Sequence, residues 1–220
     1  MIEILVTVAS AIASYLVMEG VSDSIVWINK KMRSKKIEKK AGMWLKTLPL
    51  TDEDKELIKR NREIMQDFFP KGIAARMNYM TLEERIALTN ELLERIAKVY
   101  GLNIEKVIYS SSSEIGECTF GAYDYQTNSI ALNLDLLGNK SAEAQQILIT
   151  TIFHEFRHAL QYKAITDSNF KYGTEEQLKL WALNFTEGHY IQPEIDFALY
   201  QRQIVEADAR QIAEESTEGY

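Results

Sequence analysis

The stretch from Ile147 to Leu160, ILITTIFHEFRHAL, constrains this chain more than any other part of it. Ser141, followed by Ala142 and Glu143, is a helix start signal, and the helix it opens runs through at least Tyr162. Ile147, Leu148, Ile149, Ile152, Phe153, Phe156 and Leu160 make that helix apolar over much of its surface. Such a helix has to be enclosed on most sides, so the remaining elements are expected to pack around it. In its middle stand two imidazoles, a carboxylate and a guanidinium: His154, Glu155, Arg157 and His158. Buried polar groups need partners, so this cluster requires an explanation beyond packing.

Residues four apart share one helical face, and His154 and His158 can therefore reach a single ion. Glu155 is displaced by about 100° from His154 and projects beside such an ion. A Zn²⁺ bound by two histidines needs a third protein ligand and an open position for water. The pKa of that water falls to about 7, and a neighbouring carboxylate can take its proton as it attacks a carbonyl. Glu155 is thus the candidate general base, and one Zn²⁺ per chain the expected cofactor. Arg157 is expected to pair with a carboxylate rather than to act in chemistry.

The rest of the chain reads as helices, a small sheet, then helices, an α+β order. Thr51 with Asp54 opens a helix to about Phe69, stopped by Pro70, and Thr81 with Glu84 opens a second ended by Gly101. KVIYSS at 106–111 predicts a strand, and SSSEIGE a loop. CTFGAYDYQTNSIALNL predicts two β runs around a turn at Gln126–Ser129. Thr174 starts a helix closed near Gly188, and Pro193 is expected to open a last helix from Glu194 to about Glu215. The single cysteine, Cys118, excludes an internal disulfide framework and reads as a small buried hydrophobe.

With HEFRH placed between a small sheet and a further helix, residues 106–215 resemble the zincin metallopeptidases. The resemblance implies a compact domain of small sheet, active-site helix and ligand helix, a peptide or protein substrate, and a strand lining the cleft. Ser129 to Leu134 is the stretch expected to be that strand. The longer metzincin pattern is not met, since Gln161 and Ala164 stand where it has Gly and His. A gluzincin-like arrangement remains, with a downstream Glu as third ligand. Glu206 is the choice, because Ile195, Leu199, Ala209 and Ala213 fall near its azimuth on the expected helix, and a carboxylate on an apolar face needs a partner. An ion pair of Glu206 with Arg202 or Arg210 is the alternative, and Glu194 is the runner-up ligand. The family also implies a group near the metal that stabilises the oxyanion, for which His189, Tyr190 and Tyr200 are candidates. Asp208 is a candidate acceptor for a ligand imidazole, although its azimuth lies nearly opposite Glu206.

Charge divides the chain. Its net charge of −7 disfavours a nucleic-acid partner. Residues 1–40 instead hold a charge-free run, Ile4 to Met18, followed by seven Lys or Arg between Lys30 and Lys40. The run is shorter than the roughly 20 residues of a spanning helix. Two readings stand: membrane contact through residues 4–40, or an apolar helix packed on the domain with a solvated basic segment behind it. Residues 41–220 form the zincin-like domain, helical over 41–104 and catalytic over 105–220. The start Met1-Ile2-Glu3 lacks the positive charge of a secretory signal. A cytoplasmic location is therefore expected, at the inner face of a membrane if the segment inserts. Against the peptidase stand two other classes, a non-catalytic zincin-fold binding protein and a membrane-tethered regulator.

Overall fold

The computed structural model describes residues 47–116, 119–186 and 189–220. The readings made of residues 1–40, of Cys118 and of Gly188 lie outside these residues. The described chain is α+β, mostly helical with one small sheet. Its elements, in order, are α1 (Asp52–Phe68), α2 (Ile73–Met77), α3 (Leu82–Tyr100), β1 (Lys106–Ser110), α4 (Ser112–Ile115), β2 (Gly121–Asp124), β3 (Ser129–Asn133), α5 (Leu134–Gly138), α6 (Ala142–Thr166), α7 (Glu175–Phe185), α8 (Phe197–Arg202) and α9 (Ile204–Thr217). Among the described residues no helix is long and apolar enough to cross a membrane.

Helix α6 is the central element. It packs against α9, α7, α2, α3 and α5 and against the sheet. Leu148, Ile149, Ile152, Phe153, Phe156 and Leu160 join residues of α1, α3, β3 and α9 in one hydrophobic core. The expected starts of α1 and α3 hold in detail. Thr51 and Asp54 form a capping box, as do Thr81 and Glu84, and Gly101 ends α3 in a left-handed conformation, φ +63°. The loop expected over SSSEIGE contains a single helical turn, α4, with Ser111 and Glu114 exchanging cap bonds.

The sheet has the order β1-β3-β2, with β1 parallel and β2 antiparallel to β3. This corrects one expectation. The stretch Ser129 to Leu134 is not an edge: β3 is the buried central strand, which also meets α6, and β2 is the edge strand lying more closely along it. Gly121 makes that approach possible. A Cβ there would sit 2.7 Å from Thr151 Cγ2 and 3.3 Å from Glu155 Cγ, so any side chain would push β2 off the helix.

A second correction concerns the expected last helix, which is two helices. Pro193 and Glu194 lie in a turn, and α8 starts only at Phe197, capped by Asp196. Between α8 and α9 the backbone of Gln203 is extended, φ −65° and ψ 145°. Its buried side chain holds the break open. Gln203 Oε1 accepts from Ile191 N–H at 3.0 Å and Asn184 Nδ2 at 3.1 Å, and Nε2 donates to Ile191 O at 2.9 Å. Helical periodicity cannot register such a break, because an amide on a buried face looks the same in either backbone.

One buried charge ties α1 to α6. Arg157 is fully buried and donates to both oxygens of Asp208, to Asp54 Oδ1 and to Tyr172, at 2.8–2.9 Å. Asp54 is as heavily bonded. Oδ1 accepts from Arg157 and Tyr172, while Oδ2 accepts from Thr51 N–H and Oγ1 and from Gln177 Nε2. Burial pushes Asp54 up, but the Arg157 charge and these donors outweigh it and hold its carboxyl below the usual range. Its folded pKa is therefore depressed. The stability it contributes is present above the unfolded value of about 3.9 and is lost as pH falls through the lower folded one. Asp54→Asn should cost about 3 kcal/mol at pH 7 by leaving Arg157 short of a partner. Urea unfolding of both proteins should show that difference shrinking below about pH 4; a difference independent of pH would contradict the assignment.

Candidate metal centre

Helix α6 presents His154 and His158 one turn apart, and α9 presents Glu206 against them. His154 Nε2 and His158 Nε2 lie 3.0 Å apart. Glu206 Oε2 is 3.2 Å from His154 Nε2, and Glu206 Oε1 is 3.4 Å from His158 Nε2. Tetrahedral coordination at 2.0–2.1 Å separates ligand atoms by about 3.3 Å, so these spacings suit one small divalent ion. His154, His158 and Glu206 thus form a group that could bind a metal ion. The Glu206 side chain is 3% exposed and that of His154 20%, so the group opens to solvent on the His154 side.

The apolar face that carries Glu206 is shorter than the sequence predicts. Ile195 and Leu199 are not on the Glu206 helix, because the chain breaks at Gln203. Ala209 and Ala213 are, and both are buried with Val205 and Ile212. Glu206 is paired with the two imidazoles, while Arg210 donates to Gln201 O. Glu194 stays exposed in its turn.

Electrostatics follow from this packing. Burial pushes Glu206 up, but the charge of His158 and hydrogen bonds from both imidazoles outweigh it, and the carboxyl sits well below its ordinary range. Burial pulls His158 down, whereas Glu206 and Glu155 pull it up further, to about 9. Glu155 is buried beside them. Desolvation pushes it up, the two imidazoles pull it back, and the net shift is upward. The backbone N–H of Tyr123 in β2 faces the carboxylate and also pulls it back.

The groups behind the ligands were only partly foreseen. Asp208 does not touch an imidazole; it acts one residue removed. Gln161 Nε2 donates to Asp208 Oδ2 at 2.6 Å and to Val205 O at 3.0 Å. With both amide hydrogens used, Gln161 Oε1 must face His158 Nδ1, at 2.9 Å. With a metal bound, this pairing would keep the His158 hydrogen on Nδ1 and leave Nε2 for the ion. Gln161, one turn beyond His158 on α6, could have been found by asking which helical neighbour fixes the tautomer.

The three oxyanion candidates separate. His189 Nδ1 is bonded to Leu183 O at 2.9 Å, at the end of α7. Tyr190 donates to Glu206 Oε1 at 2.5 Å, and Tyr200 packs edge-on against the Tyr190 ring at 6.2 Å. Burial and the Glu206 charge push both phenols up, so they remain protonated donors.

Gln161→Met, which keeps the volume and loses the acceptor, should weaken zinc affinity 10- to 100-fold in competition with a chromogenic chelator. Unchanged affinity would show that His158 needs no such support. Comparison of the chain with models of known protein families, with curated proteins and with solved structures finds no match.

Proposed function

We propose that this chain is a zinc-dependent metallopeptidase of gluzincin-like arrangement. The observation that carries the reading is the convergence of His154, His158 and Glu206 to tetrahedral spacings with a buried carboxylate, Glu155, one residue from the first ligand. Two neutral imidazoles and a carboxylate are the donor set of a hydrolytic zinc site that keeps a position open. A bound Zn²⁺ supplies the Lewis acid that polarises the scissile carbonyl and makes water acidic enough to be deprotonated near pH 7.

The chain's own residues supply the remainder. Glu155 takes the proton of the attacking water and passes it to the leaving amine nitrogen. Its upward shift matches that work, since a base whose conjugate acid is not too strong both accepts and returns a proton. Tyr190 holds Glu206 as a donor and, with Tyr200 packed on its ring, is the candidate for stabilising the oxyanion. An extended peptide substrate is expected along β2. In its register with β3, Gly121 and Tyr123 turn their N–H and C=O groups away from the sheet. A zincin-like fold accords with this arrangement of edge strand, HEFRH helix and Glu-bearing helix.

The purified full chain is expected to hold about one zinc, and His154→Ala to lose it. Glu206→Ala should release zinc to a chelator that leaves Glu194→Ala loaded. Glu155→Gln should retain zinc and lose at least 10²-fold in peptide hydrolysis. Full turnover in Glu155→Gln would remove the general base from the account. Zinc binding without hydrolysis by the unaltered chain would favour the non-catalytic binding protein.

A further inference from the structure

Arg157 and Asp208 join α6 to α9 on one side of the helix pair, and two other side-chain pairings join them on the opposite side. His154 Nε2 meets Glu206 Oε2 at 3.2 Å, and Thr150 Oγ1 meets Thr217 Oγ1 at 3.0 Å. Thr150 lies one turn before His154, so the two share a face of α6. Thr217 lies eleven residues beyond Glu206, about three full turns, so these two share a face of α9. On that same side of the helix pair, starting one turn from His154, lies a cleft of about 520 Å³. Its lining includes Gln146, Thr150, Glu214, Thr217, Glu218 and Tyr220.

The free polar groups of this cleft are nearly all acceptors. The Thr217 hydroxyl donates to Ala213 O at 3.0 Å, so the hydrogen between Thr150 and Thr217 comes from Thr150. Both hydroxyl hydrogens are spent, and the Thr150 oxygen keeps its lone pairs. Gln146 Nε2 donates to Thr217 O at 3.3 Å, which leaves Oε1 to accept, and the Tyr220 phenol hydrogen goes to Arg62 O. Glu214 is exposed and has no hydrogen-bond or ion-pair partner among the described residues. Glu218 meets Arg62 at 3.1 Å in an exposed pair, which is weak. Against these oxygens stands one spare amide hydrogen of Gln146. The wider charge has the same sign. Of the 25 basic and 32 acidic side chains, residues 1–40 hold seven and four, which leaves residues 41–220 at −10.

We infer that this cleft takes the cationic side chain, lysine or arginine, of an extended polypeptide, so that basic segments are the substrate class. This rests on the peptidase reading and deepens it. An ammonium or guanidinium offers donors only, the complement of a wall that offers acceptors. A carboxylate in the same place would face Glu214 and Glu218 with almost no donor to meet it, so acidic segments are turned away. The position along the substrate follows from the helix. Thr150 and Gln146 lie about 6 and about 12 Å along α6 from His154. An extended peptide advances about 3.3 Å per residue, which sets the cation within about four residues of the bond above the metal.

The test uses the full, zinc-loaded chain in two forms. Fluorescence anisotropy with Glu155→Gln compares decapeptides carrying one lysine at successive positions with their acetyl-lysine counterparts, which keep the length and lose the charge. At the best position lysine should bind at least fivefold more tightly, and raising NaCl from about 0.05 M to about 0.5 M should remove most of that preference. Adding Glu214→Gln should remove it at low salt, whereas Glu91→Gln, an exposed acid of α3, should not. Glu214 is exposed, so zinc content should stay the same in that variant. In parallel, the unaltered chain is given a proteome-derived peptide mixture, and cuts read by mass spectrometry should be enriched in Lys and Arg within about four residues. Equal binding of lysine and acetyl-lysine peptides, or equal losses in Glu214→Gln and Glu91→Gln, would overturn the inference even if peptides are cleaved. Cuts without basic enrichment would do the same. A lysine preference that depends on Glu214, without any cleavage by the unaltered chain, would uphold the cleft and overturn the peptidase reading alone.

Discussion

The buried guanidinium of Arg157 is the interaction on which the rest of the structure depends. A charge removed from water costs several kcal/mol unless it is fully paired, and this one is. It is held by carboxylates from two helices distant in sequence, Asp54 of α1 and Asp208 of α9, with Tyr172 beside them and Trp181 beneath. Only one mutual placement of α1, α6 and α9 satisfies all of these bonds together. Burial alone would favour loss of the proton, but Asp208, Tyr172 and Asp54 outweigh it and hold the group charged.

That placement sets the metal centre. Asp208 lies two residues from Glu206 on α9, and Arg157 is flanked by the site residues of α6. Fixing the ion pair therefore fixes the distance between the histidine helix and the carboxylate helix. Gln161 carries the constraint onward, because its amide is oriented by Asp208 and Val205 O and in turn orients His158. A single polar layer thus holds the helices together and orients a candidate ligand. On the other side of α6 the constraint is steric. Gly121 lets the edge strand come close to Glu155.

Local signals in the sequence carried a large part of this. Thr51, Asp54, Thr81, Glu84 and Gly101 are legible because caps act within four residues of chain. The histidine pair is legible because one helical turn is a local geometry. What escaped is what long-range contacts decide. The break at Gln203 depends on Asn184 and Ile191, and nothing in the periodicity of residues 194–215 reports them. The edge strand was placed one strand too late, since a short apolar run reads alike at the centre and at the border of a sheet. Gly121 was the available clue, a glycine inside a strand marking close approach. Glu206 was reached through a helical face that in part does not exist. Its own burial next to Ala209 and Ala213 was enough, because a carboxylate there must find partners.

The central claim is that His154, His158 and Glu206 share one metal ion. Crystals of the full chain, with anomalous data collected on either side of the zinc absorption edge, test it most directly. The account predicts one strong zinc peak per chain, about 2 Å from His154 Nε2, His158 Nε2 and a Glu206 carboxylate oxygen. A zinc peak away from these atoms, or one at the histidines with Glu206 turned aside and another carboxylate in its place, would contradict it.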